Sequence, residues 1–228
     1  MRPDSAGGKF RCEGTLEREL RARGFAAVAG VDEVGRGSLF GPVVAAAVIL
    51  SPARPVHGLN DSKLLDAHRR EVLAERIRER AVAWAVAGVD AATIDSINIY
   101  QASRKAMRLA VLQLRPAPDF LLTDAMPLDL PLPQQPLIKG DARCHAIAAA
   151  SIVAKVWRDA CMCVWDKVYP QYGLASHKGY STPEHCRAIA EFGPTPLHRL
   201  SFTPVREHAR FPMDYNPQMQ LFETAGAV

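Results

Sequence analysis

The chain has 228 residues, of which 48% are hydrophobic and 23% are charged, and this is the composition of an ordinary globular protein. A chain of this length can bury roughly 70% of its unfolded surface, so it needs neither disulfides nor a structural metal to fold. The net charge of +4, from 28 Lys and Arg against 24 Asp and Glu, permits a polyanionic partner without requiring one.

The five cysteines form no C-x-x-C pair, and this usage is typical of a reducing compartment. Cys161 and Cys163, with a nearby histidine, could suggest zinc, but the favoured interpretation places them on the face of a helix. No apolar run reaches transmembrane length, and the first 14 residues lack the apolar core of a secretion signal. We therefore expect a cytoplasmic, monomeric protein with no membrane partner.

The first half of the chain alternates strands and helices. Residues 1–25 are expected to form a flexible or partly ordered leader. The runs AAVAGVDEV and VVAAAVIL then predict two strands that flank a Gly-rich turn. Asp61 or Ser62 could cap the helix that follows. Apolar residues at spacings of four, four and three predict a helix from Leu65 to about Val86; they are Leu73, Ile77, Ala81 and Trp84.

The second half continues the same alternation. A helix is predicted from Ser96 to Leu114, DFLLTDA is predicted to be a buried strand, and PLIKGD is predicted to be another short strand. The Ala-rich run ARCHAIAAASIVAKVWRDACMCVWDKVY predicts one long helix that Pro170 ends. A Gly-rich loop, one short helix and a proline-studded tail follow. Together these elements predict an α/β domain with a mixed sheet and a helical C-terminal portion.

Three acids share one sequence context. Asp32, Asp124 and Asp141 each follow an apolar, strand-like run. Any one of them alone would more often be a solvent-facing strand end. Acids at the ends of separate strands can converge on one site, and clustered carboxylates need cations, of which oxygen ligands select Mg²⁺ or Mn²⁺. Glu33 points to the opposite face from Asp32 along a regular strand, so both can share ions only where the strand ends or twists.

The glycines after the Asp32-Glu33 pair admit two interpretations. Gly35, Gly37 and Gly41 are one residue off the dinucleotide-binding fingerprint. Two carboxylates beside a pyrophosphate are electrostatically unfavourable without a cation, which disfavours that interpretation. The preferred one is that Gly35 and Gly37 let the main chain approach a sugar-phosphate strand, with Arg36 supplying charge for a phosphate.

Five stretches together closely resemble bacterial type 2 ribonuclease H (ribonuclease HII), from about residue 26 to about residue 206. They are GVDEVGRGSLFGPVVAAAVIL, LNDSKLL, INIYQASRKAM, IKGDARCHAIAAASIVAKVWRD and SHKGYSTPEH. The resemblance implies a ribonuclease H-like α/β fold over residues 26–206, in which helices flank a mixed five-stranded sheet and the C-terminal extension is helical. A non-catalytic nucleic-acid-binding domain with the same fold remains an alternative, but it would be expected to lack one of the acids.

The activity that the resemblance implies is that of an endoribonuclease. It would cut the RNA strand of RNA–DNA hybrids and nick 5′ of single ribonucleotides embedded in duplex DNA. Two-metal-ion hydrolysis with Mn²⁺ or Mg²⁺ would leave 3′-hydroxyl and 5′-phosphate ends.

The resemblance also assigns residues to this activity. The family's acidic cluster falls on Asp32, Glu33, Asp124 and Asp141; the first three are its usual metal ligands, and the fourth is expected to help hold the ion that activates water. In addition, the nucleic-acid contacts of the family fall on Gly35, Arg36, Gly37, Lys63 and Tyr180. The glycine block would sense the junction and Tyr180 would stack on the next deoxyribose. Asp159 is interpreted as helix support, and His198 as structural.

The segment from 207 to 228 is expected to be a tail outside the domain. Its QMQLF run, residues 218–222, resembles the short peptide by which bacterial replication proteins bind the sliding clamp. Gln218, Leu221 and Phe222 would be its contacts, with Leu221 and Phe222 entering an apolar pocket. The alternative is an amphipathic segment that packs on its own domain.

Overall fold

The computed structural model describes Cys12, residues 14–60 and residues 62–209. In these ranges five strands form one mixed sheet, as expected from the sequence, with helices on both faces. The strands are β1 (Val28–Val34), β2 (Val43–Ile49), β3 (Ala83–Val89), β4 (Phe120–Asp124) and β5 (Gln134–Leu137). The helices are α1 (Thr15–Ala22), α2 (Ala67–Arg80), α3 (Ala91–Ile97), α4 (Ile99–Gln113), α5 (His145–Val168), α6 (Leu174–His177), α7 (Pro183–Phe192) and α8 (Thr203–Arg206).

The sheet has the strand order β3-β2-β1-β4-β5. Strand β2 is antiparallel to both of its neighbours, β1 and β3, whereas β4 runs parallel to β1 and β5 runs parallel to β4. Every residue of β2 is buried, because the two faces of this strand are both covered. Val43, Ala45 and Ala47 pack in the cluster with α4, and Val44 and Ala46 pack in the cluster with α2 and α5.

The long helix α5 crosses β1 in close contact. A Cβ atom on Gly30 would lie 2.0 Å from the carbonyl carbon of Ala146, so only glycine allows this approach. The start of α5 is also held by α1, since Oε1 of the buried Glu17 accepts a hydrogen bond of 2.7 Å from the Ala146 N–H. The contact fixes α5 beside the strand that carries Asp32.

The helix predicted from Leu65 to Val86 is wrong at its C-terminal end. Helix α2 stops at Arg80, and the next residues form β3, which pairs antiparallel with β2. Burial in β3 alternates residue by residue, which is the period of a strand. The alanines at every second position of β3 favour a helix by propensity, but pairing with β2 decides the outcome.

Two boundaries in the first half also differ from the sequence prediction. The cap of α2 is Asp66, which accepts a hydrogen bond of 2.8 Å from the Arg69 N–H; Ser62 lies in a 3₁₀ turn, and Asp61 lies outside the described residues. The helix predicted from Ser96 to Leu114 corresponds to α4, which begins at Ile99; the short α3 before it was not predicted, and Asn98 separates the two helices. Asn98 has φ 67° and caps α4 through its side chain.

In the second half, the predicted strand PLIKGD lies earlier than expected. Strand β5 ends at Leu137, and Gly140–Ala142 form a 3₁₀ turn. The long helix α5 ends before Pro170 as predicted.

The C-terminal portion is helical, and its own apolar cluster joins Phe40 to α5, α7 and α8 through Met162, Ile189 and Val205. Within the described ranges, no helix is long and apolar enough to cross a membrane. The proposed clamp-binding contacts Gln218, Leu221 and Phe222 lie outside the described residues.

Candidate active site

A cleft of about 470 Å³ opens where β1 and β4 end. The parallel register pairs Val31 with Thr123, so the next residues, Asp32 and Asp124, lie level on neighbouring strands. The lining residues are Asp32, Glu33, Val34, Gly35, Arg36, Gly37, Ser62, Lys63, Arg70, Asp124, Ser151, Lys155 and Tyr180. Most of the residues that the sequence singles out therefore share one cavity.

Asp32 is the buried acid at the centre of the cleft, with 5% of its surface exposed. Its pKa is raised well above the ordinary value by burial, and by repulsion from Glu33 and Asp124. Hydrogen bonds from the Ser151 hydroxyl and the Glu33 N–H act in the opposite direction. The neighbouring carboxylates thus oppose the ionisation of Asp32.

Glu33 also faces the cleft, although it follows Asp32 directly in the chain. Burial raises its pKa, Asp124 adds to the rise, and the Arg36 guanidinium lowers it. Arg36 Nη1 lies 3.4 Å from Glu33 Oε1. The other oxygen, Oε2, is buried and has no hydrogen-bond partner among the described residues, so it is an acceptor available to a ligand.

Asp124 and Asp141 occupy different positions relative to the cleft. Asp124 Oδ1 accepts a hydrogen bond of 2.7 Å from the Gly140 N–H, which ties β4 to the turn that carries Asp141. Asp141 is buried, with 6% of its surface exposed, and does not line the cleft. It contacts the cleft through Lys63, whose Nζ lies 3.5 Å from Asp141 Oδ2.

In the described part of the chain, the three carboxylates of the cleft are not close enough together to coordinate one ion. Among the described residues, no group of three or more His, Cys, Asp or Glu side chains is arranged to hold a metal ion as it stands. This finding includes Cys161 and Cys163, for which a zinc site was an alternative. Near Asp32, one carboxylate oxygen accepts a hydrogen bond from the Glu33 N–H, whereas Glu33 Oε2 has no hydrogen-bond partner within the described ranges.

Two loops form the wall of the cleft next to the acids. The glycine loop, residues 35–42, follows β1, and the tyrosine loop, residues 177–181, follows α6. An isolated antiparallel bridge pairs Ser38 with Tyr180. Gly35 has φ 87°, whereas a Cβ on Gly37 would meet no atom within 4 Å. Of the two glycines that flank Arg36, Gly35 is therefore required to be glycine by the geometry of the free protein, and Gly37 is not.

Polar residues of α5 in and behind the cleft wall escaped prediction from the sequence, as did Arg70 of α2, which lines the cleft. Ser151, Lys155 and Arg158 lie on α5 at spacings of four and three, which is one face of a helix. Lys155 Nζ lies 2.8 Å from Asp159 Oδ1, one turn along the helix. Polar residues recurring at this spacing in an otherwise Ala-rich helix are the signal that could have revealed those of α5.

A chain of neutral histidines supports the tyrosine loop from inside. The Thr195 N–H donates to His198 Nδ1 at 2.9 Å, so the His198 proton is on Nε2, which lies 3.2 Å from His185 Nε2. The other nitrogen of His185 then donates to the Tyr180 carbonyl at 3.0 Å. Burial lowers the pKa of His185 to about 4 and that of His198 to about 3. These buried contacts support the structural role expected for His198.

Comparison with known proteins identifies this arrangement. The sequence model of the family Ribonuclease HII matches residues 29–205. The chain belongs to the ribonuclease HII family. Curated ribonucleases HII include that of Solibacter usitatus, 76% identical over the full length of both chains. The ribonuclease HII of Koribacter versatilis is 56% identical over 86% of this chain and 78% of the relative.

Solved structures confirm the ribonuclease H-like fold. Ribonuclease H2 from Pyrococcus horikoshii matches with a TM-score of 0.68 and 25% identity, over 80% of this chain and 96% of that one. The ribonuclease HII of Archaeoglobus fulgidus, in a complex with PCNA, matches with a TM-score of 0.67 and 27% identity, over 82% and 98% of the chains. Bst-RNase HIII in complex with Mn²⁺, at 21% identity and a TM-score of 0.62 over 83% and 71% of the chains, is similar in fold.

Family membership establishes the class of reaction. This member of the family is a hydrolase, a metal-dependent endonuclease that acts on RNA–DNA hybrids. Family membership also disfavours the alternative interpretation of Gly35, Gly37 and Gly41 as a dinucleotide-binding loop.

Proposed function

We propose that the enzyme cuts the RNA strand of RNA–DNA hybrids and also nicks 5′ of single ribonucleotides embedded in duplex DNA. The reaction would be two-metal-ion hydrolysis that leaves 3′-hydroxyl and 5′-phosphate ends. The observation that carries the proposal is the cleft in which Asp32, Glu33 and Asp124 lie beside the glycine loop and Tyr180. In this cleft, acids able to hold cations lie next to the main chain of the glycine loop and to an aromatic residue, both of which could contact a sugar.

The residues of the cleft fit divalent cations. The donor set is made of carboxylate oxygens, which suit Mg²⁺ and Mn²⁺. Burial and repulsion between neighbouring carboxylates raise the pKa values of Asp32 and Glu33, and Glu33 Oε2 has no hydrogen-bond partner in the described part of the chain; both observations support cation binding at these carboxylates. We propose Asp32, Glu33 and Asp124 as ligands, and Asp141 as a fourth that takes part when Lys63 moves away from it.

In this scheme the acids of the chain position the reacting groups. The cations would supply a nucleophilic water and neutralise charge on the leaving oxygen. Ser151 and the Glu33 N–H hold the Asp32 carboxylate toward the cleft through their hydrogen bonds. Gly140 does the same for Asp124 with its N–H. Each acid is therefore oriented by a neighbour before any ligand arrives.

Selection of ribonucleotides would depend on sugar chemistry, because the 2′-hydroxyl distinguishes RNA from DNA. The main chain of Gly35, Arg36 and Gly37 lines the cleft without bulky side chains at positions 35 and 37, so it can approach that hydroxyl. The Tyr180 ring lines the same cleft and would stack on the sugar that follows. Lys63, with 81% of its side chain exposed, would contact a phosphate.

A further part of the proposal concerns the tail. We propose that Gln218, Leu221 and Phe222 bind the bacterial sliding clamp; the complex of Archaeoglobus fulgidus ribonuclease HII with PCNA shows a related protein bound to a clamp. A fluorescent peptide of residues 214–228 should bind purified bacterial clamp with micromolar affinity. The matched peptide with Leu221→Ala and Phe222→Ala should not bind. Equal binding of both peptides, or of neither, would overturn this part.

The catalytic proposal is tested with three labelled duplexes of one sequence: all DNA, one embedded ribonucleotide, and a uniform RNA strand opposite DNA. With Mg²⁺ or Mn²⁺, the enzyme should cut the second duplex only at the bond 5′ of the ribonucleotide, cut the third at many bonds, and leave the first intact. A polymerase should extend the nick, because it carries a 3′-hydroxyl. Failure to cut the second duplex would contradict the proposal.

A further inference from the structure

The guanidinium of Arg158 is buried between the glycine loop and the tyrosine loop. Arg158 lies on α5, and none of its surface is exposed. Nη2 donates to the Ser38 hydroxyl at 2.6 Å and to the Phe40 carbonyl at 3.1 Å, and Nε donates to the Pro42 carbonyl at 3.2 Å. Three of its contacts therefore hold the glycine loop.

The same side chain also holds the tyrosine loop. Nη1 of Arg158 donates to the Lys178 carbonyl at 2.8 Å. The carbon at the centre of the guanidinium lies 5.4 Å from the centroid of the Tyr180 ring, a distance typical of a cation–π contact. The planar fork thus bonds to both loops at once, and a lysine could not reproduce this geometry.

Ser38 extends the link between the loops. The Ser38 hydroxyl accepts a hydrogen bond from Arg158 and donates one of 2.8 Å to the Gly179 carbonyl. The Leu39 N–H donates to the same Gly179 carbonyl at 2.8 Å. Gly179 has φ 77°, and a Cβ there would lie 2.9 Å from Ser38 Oγ. The two loops therefore meet without space for an intervening side chain.

A second buried arginine supports the glycine loop from its other end. Arg199, also fully buried, donates from Nη1 to the Arg36 carbonyl at 2.8 Å and from Nε to the Gly41 carbonyl at 3.0 Å. Burial and the charge of Arg158 lower the pKa of Arg199 to about 9. In the described part of the chain neither arginine forms a salt bridge. Both buried charges are thus met by main-chain carbonyls, the Ser38 hydroxyl and aromatic rings rather than by a carboxylate in contact, and burying a charge without an ion-pair partner is costly.

We propose that Arg158 is a positioning residue that holds the glycine loop and Tyr180 at a fixed separation, so that both contact adjacent sugars of one ribonucleotide–deoxyribonucleotide junction. This role rests on the proposed function, because it assigns sugar recognition to these two elements. The main-chain groups at residues 35–37 and the Tyr180 ring act as one unit only while Arg158 joins them. Arg158 itself touches neither the acids nor the substrate.

The test is a double-mutant comparison of Arg158→Lys, Tyr180→Ala and the combined variant. The measured quantity is the ratio of kcat/KM on the single-ribonucleotide duplex to kcat/KM on the uniform hybrid. Loss of alignment between recognition groups costs roughly ten- to a hundredfold, so Arg158→Lys should lower the ratio by about tenfold or more. In the Tyr180→Ala background, Arg158→Lys should lower this ratio no further, because the pairing of the glycine loop with the Tyr180 ring is then already lost.

Arg104→Lys is the matched control. Arg104 also donates to a main-chain carbonyl, that of Pro127, but it lies on α4 outside the cleft, and its substitution should leave the ratio unchanged. Thermal unfolding checks that each variant is folded. If Arg158→Lys does not fold, Ser38→Ala removes one link between the loops and should shift the ratio in the same direction.

The outcomes separate this inference from the proposed function. An Arg158→Lys enzyme that loses activity equally on both substrates, with the ratio unchanged, would show a purely structural residue and overturn the inference. The inference would also be overturned if the combined variant lowered the ratio by the product of the two single effects. An unchanged ratio in Tyr180→Ala would instead contradict the sugar recognition assigned to Tyr180 in the proposed function.

Discussion

A methyl group on Gly35 would lie 2.2 Å from Nε of Arg158. The glycine is thus required by the packing of the free protein, before any nucleic acid is bound. Its φ of 87° adds a second reason, since side chains other than glycine rarely adopt it. The start of the glycine loop is therefore fixed by a buried side chain on a different element, α5.

Gly35→Ala should displace Arg158 or the glycine loop and so impair recognition. We expect kcat/KM on the single-ribonucleotide duplex to fall by about a hundredfold, and the free energy of unfolding to fall by roughly 1–3 kcal/mol. Gly24→Ala is the control: Gly24 has φ 99°, but its Cβ would meet no atom within 4 Å. The control should lose stability alone. Equal activity of the two variants would refute the packing argument.

Lys63→Ala should weaken substrate binding through one phosphate contact. We expect KM to rise several-fold, and the plot of log affinity against log salt concentration to become shallower by about one unit. Arg54→Ala is the comparison, because Arg54 is exposed and lies away from the cleft. It follows the end of β2 that pairs with Ala29, and Asp32 lies toward the other end of β1. A salt slope that is the same in wild type and Lys63→Ala would argue against phosphate contact.

The buried histidines should make the fold sensitive to acid. Because their pKa values are lowered to about 4 and about 3, the unfolded chain binds more protons than the folded one below pH 6.5. Stability is therefore fully present above pH 6.5 and is lost as the pH falls toward 4. Each histidine contributes a slope of up to about 1.4 kcal/mol per pH unit.

His198→Gln should make the slope of unfolding free energy against pH shallower, by up to the contribution of one proton. Chemical denaturation of wild type and variant at several pH values between 4.5 and 7 measures the slope of unfolding free energy against pH. Asp32 and Glu33 have raised pKa values, so their contribution to the slope has the opposite sign. That contribution is the same in wild type and variant, so the difference between the two slopes reports the substituted histidine. Identical slopes would mean that His198 takes up its proton equally in the folded and unfolded chains.

Much of the fold was predictable because burial and periodicity agree in its long elements. The strands around Asp32 and Asp124 and the Ala-rich helix α5 are of this kind. Strand β3 was missed because Ala83, Ala85 and Ala87 favour a helix on their own, and the pairing with β2 that overrides this preference is not local. Helix α3 was missed because its seven residues are too few for an apolar period to show.

In the site, the sequence indicated the acids and glycines but not their supports. Asp32 and Asp124 stand at strand ends, where ligands gather, and the structure confirms their proximity through the strand register. Arg158 gave no comparable signal, since an arginine in a helix is ordinarily exposed. Its burial depends on the carbonyls of two loops that are distant in sequence, and only the folded structure brings them together.

The most direct measurement of the central claim is cleavage of the single-ribonucleotide duplex by wild type and Asp32→Asn, with Mn²⁺, Mg²⁺ or a chelator, alongside the thermal stability of both proteins. Wild type should cut only with a divalent ion and be stabilised by it. Asp32→Asn should lose cleavage by about a thousandfold or more, equivalent to about 4 kcal/mol of transition-state stabilisation, while it stays folded and loses the stabilisation by Mn²⁺. Retained turnover in Asp32→Asn, or wild-type cleavage in chelator, would contradict a carboxylate site that holds catalytic cations.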